Sequence, residues 1–105
     1  MNAFYKSVNS TTIPIDLTVA SSAAVQIPGK GGILRVANGG LVAIAFRVGA
    51  SDVAACVFPV AATPTDSYVV LPGVTELFSV PADAYVRAIT ATSTATVYFS
   101  RGEGI

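Results

Sequence analysis

Six carboxylates, one thiol and no imidazole make up the reactive inventory of this 105-residue chain. Without histidine there is no Ser-His-Asp triad, no Cys-His pair and no ordinary zinc site. The usual switch near neutral pH is missing as well. The carboxylates are Asp16, Asp52, Asp66, Glu76, Asp83 and Glu103. Asp52, Asp66 and Asp83 fall where turns are expected. Two of them converging would make a glycosidase pair. The competing reading is turn chemistry, in which Asp bonds its own backbone. No D-x-D-x-D-G spacing supports calcium. Gly29-Lys30-Gly31-Gly32 has glycines but not the Walker spacing, and no helix follows it. Cys56 cannot form an internal disulfide, and its neighbours Ala54, Ala55, Val57 and Phe58 mark it as a buried small hydrophobe. An enzyme is therefore not expected, and neither is a cofactor or a metal.

The composition agrees. Charged residues are 11% of the chain and hydrophobic residues 52%, against about 25% charged in an average soluble domain. The formal net charge is zero and no basic run is present, so electrostatic binding of nucleic acid is not expected. No window approaches the roughly 20 apolar residues of a membrane helix. The first six residues, Met1 to Lys6, lack the apolar stretch of a signal peptide. Synthesis in the cytoplasm is the expectation.

The elements are short strands. Ile13, Ile15, Leu17 and Val19 alternate with Thr12, Pro14, Asp16 and Thr18, the period of a half-buried strand. Pro14 has no N–H and belongs at an edge. Ala23–Ile27 is extended, and Pro28 to Gly32 is a turn. Ile33–Ala37 and Leu41–Val48 flank Asn38-Gly39-Gly40 and read as a hairpin. Val53–Val60 reads as a strand, residues 61–67 as the longest loop, and Tyr68–Leu71 and Val74–Val80 as strands around Pro72-Gly73. Tyr85–Thr90 and Thr94–Ser100 read as a last hairpin. Arg101–Ile105 reads as a short polar tail. This spacing predicts an all-β fold, a β-sandwich or jelly-roll-like barrel of about eight antiparallel strands. Residues 11–105 are expected to form this single domain, preceded by an arm over residues 1–10.

Such a domain, poor in charge and rich in Thr, Ser and Ala, is weakly protected against association. Contact with other proteins is therefore the expected role of its surface. Phe4 and Tyr5 either pack on the domain's own sheet or dock on a neighbour. Arg47 and Arg87, inside strands, either face solvent or anchor an interface, where Arg is enriched. Arg101 in the tail is a further interface candidate. Tyr68, Tyr85 and Tyr98 fit packing or an aromatic sugar-binding strip.

Three stretches carry a resemblance. They are LPGVTELFSVPADAYVRAITATSTATVYFSRGEGI (Leu71 to Ile105), ILRVANGG (Ile33 to Gly40) and AIAFRVGAS (Ala43 to Ser51). Together they resemble small β-sandwich virion proteins of tailed bacteriophages, of the type that decorates or cements capsids. The resemblance implies a structural protein located in the virion, with the major capsid protein or another virion protein as partner. A cyclic homo-oligomer, two-fold or three-fold, is compatible with it. A head–tail connector, tail or fibre component is the alternative within that setting. A carbohydrate-binding sandwich module is the alternative outside it.

Overall fold

The computed structural model describes residues 4–6, 12–30 and 32–104, with only the backbone described for 4–6, 103 and 104. Among these residues the chain forms nine strands and no helix. They are β1 (Phe4–Lys6), β2 (Ile13–Leu17), β3 (Val25–Gln26), β4 (Ile33–Asn38), β5 (Ile44–Gly49), β6 (Tyr68–Val70), β7 (Thr75–Ser79), β8 (Tyr85–Thr90) and β9 (Ala95–Gly104).

Two antiparallel sheets result. One runs β1-β9-β4-β7, with β2 also paired to β9; the other runs β3-β8-β5-β6. The pairs β2–β9, β3–β8, β4–β7 and β5–β6 nest inside one another, as in a single long hairpin. The pairs β4–β9 and β5–β8 then roll that hairpin into two facing layers. This is the jelly-roll arrangement, so the expected fold class is observed.

Period-two alternation explains the packing. Leu34 and Val36 of β4, Ile44 and Phe46 of β5, Val86 and Ala88 of β8, and Val97 and Phe99 of β9 are buried between the sheets. Phe46 lies at the centre, edge-on to Phe78 at 4.9 Å and to Phe99 at 5.8 Å. Edge-to-face rings add about 0.5–1.5 kcal/mol beyond their burial.

Four expectations need correction. The two predicted hairpins are arches. β4 and β5 lie in opposite sheets, and so do β8 and β9. Each strand carries one apolar stripe, and a sandwich buries two such stripes by laying them face to face. In the first arch the Asn38 amide donates to Val42 O at 2.9 Å and Val70 O at 3.1 Å, and accepts from Gly40 N–H at 3.0 Å. Those bonds replace the ladder that a hairpin would have made.

The third correction concerns residues 53–60, which join no ladder beyond an isolated Val60–Thr63 bridge. Pro59 cannot donate, and side chains take up nearby carbonyls, as with Thr65 and Ser67 donating to Val57 O. Finally, residues 101–104 are not a tail. They continue β9: Arg101 and Gly102 pair with β4 on one side, and residues 102–104 pair with β1 on the other.

Candidate interaction surface

Asp16, Asp66 and Asp83 are dispersed over the fold, and each holds a partner of its own. Thr96 hydroxyl donates to Asp16 Oδ1 at 2.7 Å. Asp66 accepts from Arg47 at 2.9 Å. Asp83 accepts from Gly29 N–H at 2.9 Å, with Lys30 Nζ at 3.7 Å. Turn and clamp chemistry thus accounts for Asp66 and Asp83, which belong to different loops and hold different partners. No group of three or more His, Cys, Asp or Glu side chains could hold a metal ion among the described residues. Gly29-Lys30 is part of a turn, and Gly29 adopts φ +127°. Cys56 is buried, and burial pushes its thiol pKa up. Its N–H donates to Ser21 Oγ at 2.8 Å.

The sequence-predicted interface residues sit in three settings. The backbone of Phe4 and Tyr5 pairs with Gly104 and Glu103 on the chain's own sheet. Their side chains, and the rest of the expected arm, lie outside the described residues. Arg47 and Arg87 point outward from the second sheet, but they hold this chain rather than standing free. Arg47 donates to Ala55 O and Asp66, and Arg87 donates to Val53 O and Ser22 O. The loop 50–67 is thereby strapped across the sheet's outer face, and Ala45 on that face is fully buried.

Arg101 is the clearest departure from expectation. Its side chain is 1% exposed and cannot be a surface contact. It donates from Nε and Nη2 to Ile27 O and from Nη1 to Pro81 O. Inward-facing positions of β9 are Ala95, Val97, Phe99 and then Arg101, so strand register drives the guanidinium into the domain. There it satisfies carbonyls that would otherwise be stranded.

What the surface offers instead is apolar. Among the described residues nine large hydrophobic side chains are exposed, and six lie between Val57 and Leu77: Val57, Val60, Tyr68, Val69, Leu71 and Leu77. From Val53 to Thr75 the sole charged residue is Asp66, which Arg47 holds. Scattered apolar residues are ordinary on a protein surface, and here six of the nine fall in one charge-poor stretch of the chain. This segment is held firmly. Arg47, Arg87 and Ser21 tie its loop down, and Tyr68 packs against Phe46 and Phe78 at ring distances of 5.4 and 5.1 Å.

No family model matches this chain, nor does any curated protein or solved structure.

The tyrosines do not line up as a sugar-binding strip. Tyr68 shares the inner face with its register partner Phe46. Tyr85 and Arg87 lie on the outer face of the same sheet, and Tyr98 on the outer face of the other. Sequence reasoning singled out arginines and aromatics and passed over Val57, Val60, Leu71 and Leu77. The signal was present as a long run almost free of charge. Its apolar residues resemble strand interior, and only the tertiary fold leaves them outside.

Proposed function

We propose that the chain is a structural virion protein of a tailed bacteriophage, a decoration or cement protein that binds and stabilises the major capsid shell. The observation that carries this reading is the set of exposed apolar side chains Val57, Val60, Val69 and Leu71, in a stretch whose sole charge is Asp66, held on a two-layer sandwich. A protein that clamps other proteins needs a firm apolar surface repeated by symmetry, and it needs no titrating site. The sequence resemblance points the same way. Jelly rolls serve in capsids, lectins and enzymes, so the fold adds compatibility rather than proof. In this reading the protein is made in the host cytoplasm and ends in the virion.

The test is co-sedimentation with assembled shells of tailed-bacteriophage major capsid protein. Saturation at hundreds of copies per shell is the expected result. Saturation at about a dozen or fewer copies would place the protein at a vertex, as a connector, tail or fibre component. No sedimentation at all would overturn the virion reading. Val60→Asp and Leu71→Asp each put a charge on a side chain more than half exposed. Both variants are expected to fold normally and to lose shell binding.

A further inference from the structure

Sheet edges present unpaired backbone groups, and natural proteins shorten or obstruct them. Three edges here are managed in that way. β3 has two residues, β6 has three, and β2 carries Pro14 and Asp16. β7 differs from β3 and β6 in length and from β2 in carrying no proline: it is five residues long, Thr-Glu-Leu-Phe-Ser, with Glu76 as its one charge. It forms the outer edge of its sheet beyond β4.

We infer that β7 pairs antiparallel with β7 of a second copy of this chain, about a two-fold axis at Leu77. The ladder with β4 shows which groups are open. Val80 N–H donates to Gly32 O at 2.9 Å and Asn38 N–H to Val74 O at 3.0 Å. Both contacts lie in the register that pairs Leu34 with Phe78 and Val36 with Glu76. Hydrogen-bonded and non-bonded pairs alternate along an antiparallel ladder. The even-numbered residues of β7 therefore bond β4, and Thr75, Leu77 and Ser79 turn their N–H and C=O groups outward.

Only one register uses all of them. A two-fold axis at Leu77 sets Leu77 against Leu77 and Thr75 against Ser79, closing six backbone hydrogen bonds. An axis at Glu76 would put two carboxylates directly opposite, which is destabilising. An axis at Phe78 would set Thr75 against Pro81, which has no N–H to give. In the Leu77 register Glu76 faces Phe78, and two half-exposed leucines cover each other.

The strand is thus its own complement, as an isologous contact requires, and a chain of zero net charge does not repel its copy. Pairing would fuse two five-stranded sheets into one continuous sheet. The dimer does not depend on the virion reading; it would hold for a sandwich of any function.

Light scattering on the full chain, over a series into the hundreds of micromolar, tests this directly. The expected species has twice the 10.7 kDa chain mass, and the amides of Thr75, Leu77 and Ser79 exchange slowly in it. Leu77→Lys, at an exposed position, should keep the native circular dichroism and lose the dimer. Leu77→Pro removes a donor that β4 does not use and should do the same. A wild-type monomer throughout the series would overturn the inference. So would a dimer that survives Leu77→Lys, or one whose three outward amides exchange as fast as free ones. An edge protected only when capsid shells are added would assign β7 to a different partner and overturn it as well.

Discussion

Arg47 and Arg87 are direct register partners in the β5–β8 ladder, and both guanidinium groups donate to carbonyls of the same loop. Like charges directly opposite each other are ordinarily unfavourable. Here Ala55 O and Val53 O accept from them at 3.3 and 3.2 Å, and Asp66 and Ser22 O take further donors. The pair is a two-point strap, which explains how a long loop with no ladder of its own stays on the sheet.

The two halves of the strap are not equal. Arg87 is part-buried and serves two backbone acceptors, while the Arg47–Asp66 contact is largely exposed at Asp66. Arg87→Ala should cost about 1–3 kcal/mol by leaving acceptors unpaired. Arg47→Ala should cost less, since an exposed ion pair contributes about 0–1 kcal/mol. Urea denaturation measures both. Limited proteolysis should cut Arg87→Ala within residues 50–67 faster than wild type, while the sheets stay intact. Equal cutting rates would show that Arg87 does not hold the loop.

Arg101 ties the end of β9 to two distant loops through Ile27 O and Pro81 O. Arg101→Ala should cost about 3 kcal/mol or more, because a charged, buried donor set is lost at once. Arg101→Lys should recover little, since an ammonium cannot reproduce the planar fork. Gly29→Ala should damage the same site from the other side. A Cβ there would come within 2.8 Å of Arg101 Cδ, at a φ of +127° that L residues rarely adopt. Denaturation midpoints should therefore place Arg101→Lys close to Arg101→Ala. A lysine variant as stable as wild type would refute the fork.

Much of the fold was readable from alternation alone. Leu34, Val36, Ile44, Phe46, Val97 and Phe99 are inward as their spacing predicts, and Cys56 is buried as its neighbours suggest. Period two, however, reports which face of a strand is buried and not which strand lies beside it. That is why Ile33–Asn38 and Ile44–Gly49 read as a hairpin although they face each other across the core. Arg101 misled for a related reason. An arginine between Ser100 and Gly102 near the chain end looks like solvent-exposed tail, and nothing local reveals two carbonyls waiting for it. The apolar surface was hidden in the same way, since Val60 and Leu71 are chemically indistinguishable from core residues.

Asn38 gives a sharper test of the arch. It is buried, and its amide bridges Val42 O and Val70 O while its carbonyl holds Gly40 N–H. Asn38→Ala should cost about 1–3 kcal/mol for each group left unsatisfied in the interior. Asn38→Asp keeps the shape but replaces a donor with a carboxylate facing two carbonyl oxygens. It should be the more damaging change at neutral pH, and its deficit should shrink as acid restores a donor. Thermal melts of the two variants at neutral and acidic pH give the ranking. If Asn38→Asp were the milder at neutral pH, the bridge to Val42 and Val70 would not be what stabilises the arch.

Asp83 contributes to the acid limb of stability. The Gly29 N–H bond, with Lys30 nearby, holds its carboxyl pKa below the ordinary 3.8. The folded value therefore lies below the unfolded one, and the unfolded chain binds more protons in between. The contribution is complete above the unfolded value and is lost as pH falls through the folded one. Wild-type stability should accordingly decline on acidification below about pH 4. Asp83→Asn retains an oxygen for Gly29 N–H and loses the titration, so its stability should change less with pH over the same range. Because Asp83 and Lys30 are both exposed, added salt should weaken their attraction and leave the Gly29 hydrogen bond in place. Denaturation of wild type and Asp83→Asn across acidic pH, at low and high salt, separates the two contributions. An acid slope identical in the two proteins would remove Asp83 from the account.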